Sequence, residues 1–140
     1  MKKGCITTIL GIIIVIFGLC YFIGSMPDMT CTDGSIIDDI STLPDAKCKE
    51  IYDGKKVRIS GLAHGVGYNP QGYLMLFAGR KFGKNHDWAV VVVSFSDKSE
   101  YKTAKELGNG EGFTAQGIAK FSVLDDGQRV VYIWHSKFVE

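Results

Sequence analysis

Aromatic residues recur through the central part of the chain, close to a short basic segment. The side chains that suggest ligand contact are Tyr68, Tyr73, Phe77, Arg80 and Trp88. Aromatic rings stack on bases or sugars, and a guanidinium pairs with phosphate or another anion. The sequence therefore predicts a ligand-binding surface in this region, although Phe77 would also suit a hydrophobic core.

Motifs of known enzyme classes are absent from the sequence. There is no metalloprotease, serine-hydrolase or Cys-x-x-Cys motif, and the glycine-rich segment 79–85 departs from a phosphate-binding loop in spacing. The histidines His64, His86 and His135 lie on different predicted elements without a matching carboxylate pattern, so we interpret each as a surface residue. We expect a protein without catalytic activity, metal site or cofactor.

The N-terminal part of the chain is apolar. Residues 4–27 carry no charged side chain, and the run 6–23 is interrupted only by threonine and glycine. As a helix this run would measure roughly 27 Å, close to the hydrocarbon core of a bilayer at ~30 Å. We expect residues 1–25 to be an uncleaved transmembrane anchor, because no clean signal-peptidase site follows. A cleaved signal peptide is the alternative.

Charges on either side of the apolar run predict its orientation. Lys2 and Lys3 precede it, whereas residues 27–53 contain seven acidic residues and two lysines. By the positive-inside rule the N-terminus is cytoplasmic and the rest of the chain is extracytoplasmic. Residues 26–42 have the composition of an acidic juxtamembrane linker.

Two cysteines follow the apolar run, Cys31 in this linker and Cys48 shortly after it. In an oxidising compartment they could form a disulfide that closes a loop of about 17 residues and ties the linker to the next domain. In a reducing compartment they would be thiols.

Within residues 43–140, segment 55–62 alternates between polar and apolar positions, whereas 73–78 and 88–95 are almost continuous apolar runs; both patterns are typical of strands. After a short helix within 43–52, three strands are predicted, then a helix that Asp97 caps, then two strands around an Asp125–Gly127 turn. The predicted strands are 55–62, 73–78, 88–95, 112–123 and 129–139. We interpret Gly61 and Gly117 as residues that relieve crowding between tightly coiled strands.

This order of elements is that of the OB-fold, a five-stranded Greek-key barrel with a helix between strands three and four. Residues 52–61 (YDGKKVRISG) resemble the first strand of bacterial tRNA_anti-like OB-fold proteins, and residues 110–117 (GEGFTAQG) resemble their fourth strand. The resemblance covers residues 43–140. It implies a mainly β domain whose ligand surface is formed by strands two and three and by the loops beside them.

Charge and location together order the candidate functions. Residues 54–140 contain 12 basic and 8 acidic residues, a net of +4 that suits an anionic ligand. An extracytoplasmic domain encounters little nucleic acid, however. We therefore expect a membrane-anchored binding module for a protein or envelope partner, with oligonucleotide or polyanion binding as the alternative. The sequence leaves the oligomeric state open.

A third candidate function is suggested by the haem chaperones of cytochrome c maturation, which also carry one N-terminal anchor and an external OB domain. Those proteins attach haem through a His-x-x-x-Tyr segment near the C-terminus. The nearest match here begins at His135 and has Val139 in place of the tyrosine. A haem carrier is therefore the least favoured alternative.

Overall fold

The computed structural model describes residues 27–79 and 90–139. The predicted anchor at residues 1–25 lies outside these ranges. Within them, the helices are all too short or too polar to span a bilayer.

Strands dominate the described residues. They are β1 (Met29–Thr32), β2 (Lys56–Tyr68), β3 (Leu74–Ala78), β4 (Val91–Phe95), β5 (Gly112–Val123) and β6 (Arg129–Phe138). The helices are α1 (Asp33–Thr42), α2 (Asp45–Tyr52) and α3 (Tyr101–Glu106), the last preceded by a 3₁₀ turn at Lys98–Glu100.

Five of these strands close into a barrel. Antiparallel pairs join β2 to β3, β3 to β4 and β5 to β6, and a parallel pair joins β4 to β6. An antiparallel pair between β2 and β5 completes the circle. The result is a mainly β, OB-like barrel with a helix between its third and fourth strands, as the sequence predicts.

Side-chain alternation explains how the barrel forms its core. Along β3, Leu74, Leu76 and Ala78 are buried and alternate with partly exposed residues. Along β5, Phe113 and Phe121 are buried in the same core, again in alternation with polar positions. Successive strand residues point to opposite faces, so each strand contributes one row to the interior.

Strand β2 extends further than the sequence suggests. The predicted first strand ends at residue 62, but β2 continues to Tyr68, and Val66, Gly67 and Tyr68 pair with β3. The register shifts between Ala63 and Val66, and Gly65 between them has a φ of 128°. A glycine in this conformation bends a strand without ending it. The glycine pattern therefore marks a bulge.

The sequence predicts an acidic linker at residues 26–42. This prediction is corrected by the structure, because the described residues of this segment form a strand and a helix. Strand β1 runs parallel to β2, with Met29 opposite Val57 and Thr32 opposite Ser60. Thr32 then begins α1, since its hydroxyl accepts the Ser35 N–H and the Ser35 hydroxyl accepts the Thr32 N–H. This reciprocal capping box starts the helix.

Acidic side chains of this segment are hydrogen-bond acceptors for the barrel. The Asp28 carboxylate accepts the backbone N–H of Lys56 at 3.1 Å, and the Asp33 carboxylate accepts that of Leu62 at 3.2 Å. Both donors belong to β2. The acidic residues that suggest a solvated linker therefore accept hydrogen bonds from a strand of the barrel.

Gly61 makes room for one of these acceptors. A Cβ atom at Gly61 would lie 2.9 Å from the carboxylate of Asp33. That distance is too short for an ordinary contact, so the absence of a side chain allows Asp33 to reach Leu62. Gly61 therefore relieves crowding, but against the side chain of Asp33 in α1 and not between coiled strands as the sequence analysis expects.

The two N-terminal helices bury a shared apolar layer against the barrel. Ile36 and Ile40 of α1 and Cys48 and Tyr52 of α2 belong to the same core as the barrel strands. Tyr52 is fully buried, and its hydroxyl donates to the carboxylate of Asp39 at 2.5 Å. Desolvation, followed by this hydrogen bond, raises the pKa of Tyr52.

Arg129 at the start of β6 joins the helices to the barrel. Its guanidinium donates to the carbonyl oxygens of Ile40 at 2.9 Å and Leu43 at 2.7 Å, and pairs with the Asp45 carboxylate at 2.9 Å. The last carbonyls of a helix have no partner within the helix. One side chain therefore satisfies the end of α1 and contacts the first residue of α2.

Replacing Arg129 with methionine should lower the free energy of unfolding by about 2–3 kcal/mol, since the buried carbonyls lose their donor while the aliphatic stem is retained. Urea unfolding of the full chain in detergent micelles, followed by tyrosine and tryptophan fluorescence, measures this. The control Lys47→Met removes an exposed ion pair with Glu50 and should change stability by less than about 0.5 kcal/mol. Equal effects of the two substitutions would contradict the role given to Arg129.

Candidate functional site

The outer surfaces of β3, β4 and β6 form a continuous, largely apolar patch. Two rows of side chains cross these strands, as the strand register shows. We call them together the aromatic face: Phe77, Val92 and Tyr132 in one row, and Met75 and Ser94 in the other, together with Trp134, which lies two residues after Tyr132 on the same side of β6.

Core packing confirms that this face points outward. The residues between its members, such as Leu76, Val93 and Ile133, belong to the buried core. Val92 and Ser94 are only 6% and 2% exposed although they lie on the outer side. The middle strand β4 is therefore buried on both of its faces.

Two ring contacts define the geometry of the face. Tyr132 and Trp134 stack with their centroids 5.2 Å apart and an interplanar angle of 15°. On β2, a Cβ atom at Gly67 would lie 3.2 Å from the ring of Phe77. This glycine therefore leaves space for the Phe77 ring to lie against β2.

Three of the five predicted ligand-contacting residues lie in the described part of the chain, and these three do not share one surface. Phe77 lies on the aromatic face, and Tyr73 precedes it in the same alternation, 39% exposed. The Tyr73 backbone is held by Asn69, whose side-chain oxygen accepts the Tyr73 N–H at 2.9 Å. Arg80 and Trp88 lie outside the described residues.

Tyr68 lies elsewhere. It is paired with Leu74, whose side chain points into the core. Tyr68 therefore lies on the inner side of the sheet, at the end of β2. Its ring packs edge-on against Tyr101 of α3 at 6.3 Å, and the Lys105 ammonium lies 5.4 Å from its centroid. Although it is 55% exposed, it contacts α3 and takes no part in the aromatic face.

Sequence reasoning missed Met75, Tyr132 and Trp134. The signal for the two aromatic residues was present, because they are two positions apart on a predicted strand and must share a face. Their contact with the ligand surface depends on the parallel pairing of β6 with β4. Only barrel closure brings the last strand beside that surface.

A bulge follows Trp134 in β6. His135 and Ser136 together lie opposite Gly117 of β5, and His135 has a φ of 51°. A Cβ atom at Gly117 would lie 2.5 Å from the carbonyl oxygen of Trp134. The expected role of Gly117 in relieving crowding is therefore confirmed. The His135 ring nitrogen Nδ1 lies 2.9 Å from the hydroxyl of Ser96, which orients the imidazole.

A groove of about 340 Å³ opens beside this bulge. Its walls combine basic, amide and aliphatic side chains. The lining residues are Lys56, Gln116, Gly117, Ile118, His135, Lys137 and Val139.

Metal-ligand geometry is not found in the described part of the chain, where no three His, Cys, Asp or Glu side chains converge. His135 lies inside β6 and not in a tail after it, in agreement with the sequence analysis. The described residues therefore add nothing that favours the haem-carrier alternative.

Cys31 and Cys48 are free, buried thiols in the structure, which is one of the two alternatives that the sequence leaves open. The Cys48 sulfur lies 3.7 Å from the carbonyl oxygen of Asp39 and acts as a weak donor to it. Desolvation, assisted by the charge of Asp39, raises the pKa of Cys31 to about 11. Desolvation also raises the pKa of Cys48. Both sulfurs pack as apolar core atoms.

Comparison with known proteins identifies no relative: neither a family model nor a curated protein matches this chain. The likeness to tRNA_anti-like proteins therefore remains a prediction from two sequence segments.

The raised pKa of Cys31 predicts a loss of stability in alkali. The unfolded thiol ionises near pH 9, whereas the folded thiol keeps its proton until about pH 11. Stability is therefore intact below pH 9 and falls between pH 9 and 11, by up to about 1.4 kcal/mol per pH unit for one proton. Urea unfolding across this range measures the slope.

The slope should be smaller in Cys31→Ala and unchanged in Thr30→Ala, which alters an exposed neighbour on the same strand. Cys48 and Tyr52 retain their own contributions, so part of the slope persists. If Cys31→Ala has the same slope as the unmodified chain, the thiol is not a source of the pH dependence.

Proposed function

We propose that this chain is a membrane-anchored, non-enzymatic binding module with an OB-fold, and that it binds a protein partner of the cell envelope through the aromatic face. The observation that carries this proposal is the Tyr132–Trp134 stack, which continues the apolar surface of Phe77 and Met75 across three strands. Aromatic residues and methionine are enriched where proteins bind one another.

The charge of the face favours a protein over a polyanion. All six of its residues are uncharged, and the nearest basic residue in the same cross-strand row is Lys120, opposite Tyr132. A polyanion needs several cations along its path, and its affinity falls steeply with salt. A partner with an apolar contact surface suits this face better.

The location of the module rests on the sequence. The apolar run 6–23 has the length of a membrane span, and the lysines before it place the N-terminus in the cytoplasm. The barrel is then extracytoplasmic, where proteins of the envelope are the available partners.

Photo-crosslinking in living cells tests the face. A photoreactive phenylalanine analogue at Phe77 of the full chain should yield a discrete protein adduct. The substitution Trp134→Ala should reduce this adduct by at least tenfold, because a central aromatic side chain of an interface typically contributes about 2 kcal/mol. Immunoblotting against a tag on the chain quantifies the adduct.

Tyr68 provides the matched control, since it is aromatic and well exposed but packs against α3. The analogue at Tyr68 should give no adduct of that size, and Tyr68→Ala should leave the Phe77 adduct unchanged. Trp134→Phe separates loss of the ring from misfolding and should restore most of the adduct. An adduct that is insensitive to Trp134→Ala, or an adduct with nucleic acid, would overturn the proposal.

The side of the membrane is tested with Lys102→Cys, an exposed position on α3, in a chain whose Cys5 and Cys20 are serine. A membrane-impermeant maleimide should label it in intact cells. Cys31 and Cys48 are buried, and the same chain without Lys102→Cys gives their background. If labelling requires lysis, the domain is cytoplasmic and RNA becomes the first ligand to test.

A further inference from the structure

Three strands of the barrel carry basic residues and no acidic ones. Neither aspartate nor glutamate occurs in β2, β5 or β6. Their basic residues are Lys56, Arg58, Lys120, Arg129 and Lys137. Arg129 is engaged by Asp45 and by α1, whereas Lys120 and Lys137 are exposed on the outer surface of their strands.

Two of these residues line the groove beside the His135 bulge, and strand register places Arg58 and Lys120 next to its wall. Lys56 and Lys137 line it directly. Arg58 lies opposite Gln116 of the groove wall, and Lys120 lies two residues beyond Ile118 on the same face of β5. The groove is therefore a concave surface with a basic rim and an aliphatic side.

Strand register places the groove close to the membrane-proximal end of the described chain. Met29 is opposite Val57, and Val57 is opposite Gly117 at the floor of the groove. Two strand spacings separate Met29 from Gly117, about 10 Å. The Asp28 carboxylate accepts the N–H of Lys56, which holds the entering chain beside the groove.

The apolar run ends at Ile23, six residues before Met29. Fully extended, six residues reach no more than about 20 Å. If the run spans the bilayer, as proposed above, Met29 stays within about 20 Å of the hydrocarbon boundary, and the barrel remains beside the headgroups. A tether this short gives the groove a high effective concentration of headgroups.

We propose that this groove and its basic rim bind the phosphate groups of anionic lipids in the membrane that holds the anchor. Lysine and arginine side chains pair with phosphate at such a surface. Ile118, 40% exposed at the groove, gives it an apolar side chain that suits the boundary between headgroups and hydrocarbon. Docking then sets the orientation of the barrel and holds the aromatic face at the membrane surface.

Fluorescence energy transfer in lipid nanodiscs tests this proposal with the full chain. Trp88→Phe leaves Trp134 as the sole tryptophan donor, and a dansyl-labelled headgroup is the acceptor. Transfer should be greater in phosphatidylglycerol discs than in phosphatidylcholine discs, and added sodium chloride should reduce the difference.

The variant Lys120→Gln with Lys137→Gln should lower the ratio of docked to undocked barrel by about 25-fold, since each basic residue near an anionic surface contributes roughly fivefold. The control Lys102→Gln with Lys105→Gln removes the same charge from α3 and should leave transfer unchanged. Thermal unfolding followed by circular dichroism verifies that both pairs fold.

Equal transfer in the two lipids, or equal effects of the two lysine pairs, would overturn headgroup binding while leaving the anchor and the aromatic face intact. A chain that fails to copurify with the discs would overturn both the anchor and the docking proposal. Crosslinking at Phe77 tests partner binding by the aromatic face separately.

Discussion

The fold depends on one constraint, the double pairing of β2. This strand is 13 residues long, and its first half pairs with β5 while its second half pairs with β3. Because β2 connects both ends of the sheet, it closes the barrel. Closure also brings β6 beside β4 and so creates the outer surface that holds Phe77, Tyr132 and Trp134. The bend at Gly65 allows one strand to serve both neighbours.

The same pairing explains why the N-terminal segment is part of the domain. Where β2 pairs with β5, its opposite edge would present unpaired backbone groups, which are a liability in any sheet. Strand β1 pairs with that edge, and the carboxylates of Asp28 and Asp33 accept N–H groups at either end of the pairing. Arg129 then fastens the helices that follow β1.

Sequence reasoning succeeded where alternation is regular. Strand β5 was predicted with its observed bounds, because buried positions alternate with exposed or partly exposed ones from Gly112 to Ser122. It failed for residues 26–42, since an acidic composition does not reveal which carboxylates accept hydrogen bonds from a distant strand. It also missed Tyr132 and Trp134, which share the aromatic face with Phe77. The pairing of β4 with β6 that brings them together follows from three-dimensional closure and not from any local pattern.

The bulge in β6 lies between the two proposed binding surfaces, the aromatic face and the basic groove. His135 adopts a left-handed conformation that costs a non-glycine residue of order 1 kcal/mol or more, and Ser96 holds its ring. Such a conformation persists only where the surrounding structure requires it. On one side of the bulge the Trp134 carbonyl packs against Gly117, which fixes the end of the aromatic face. On the other side Lys137 lines the groove. A shift of this bulge would therefore move Trp134 and Lys137 together. The geometry of the aromatic face and that of the basic groove thus depend on the same bulge.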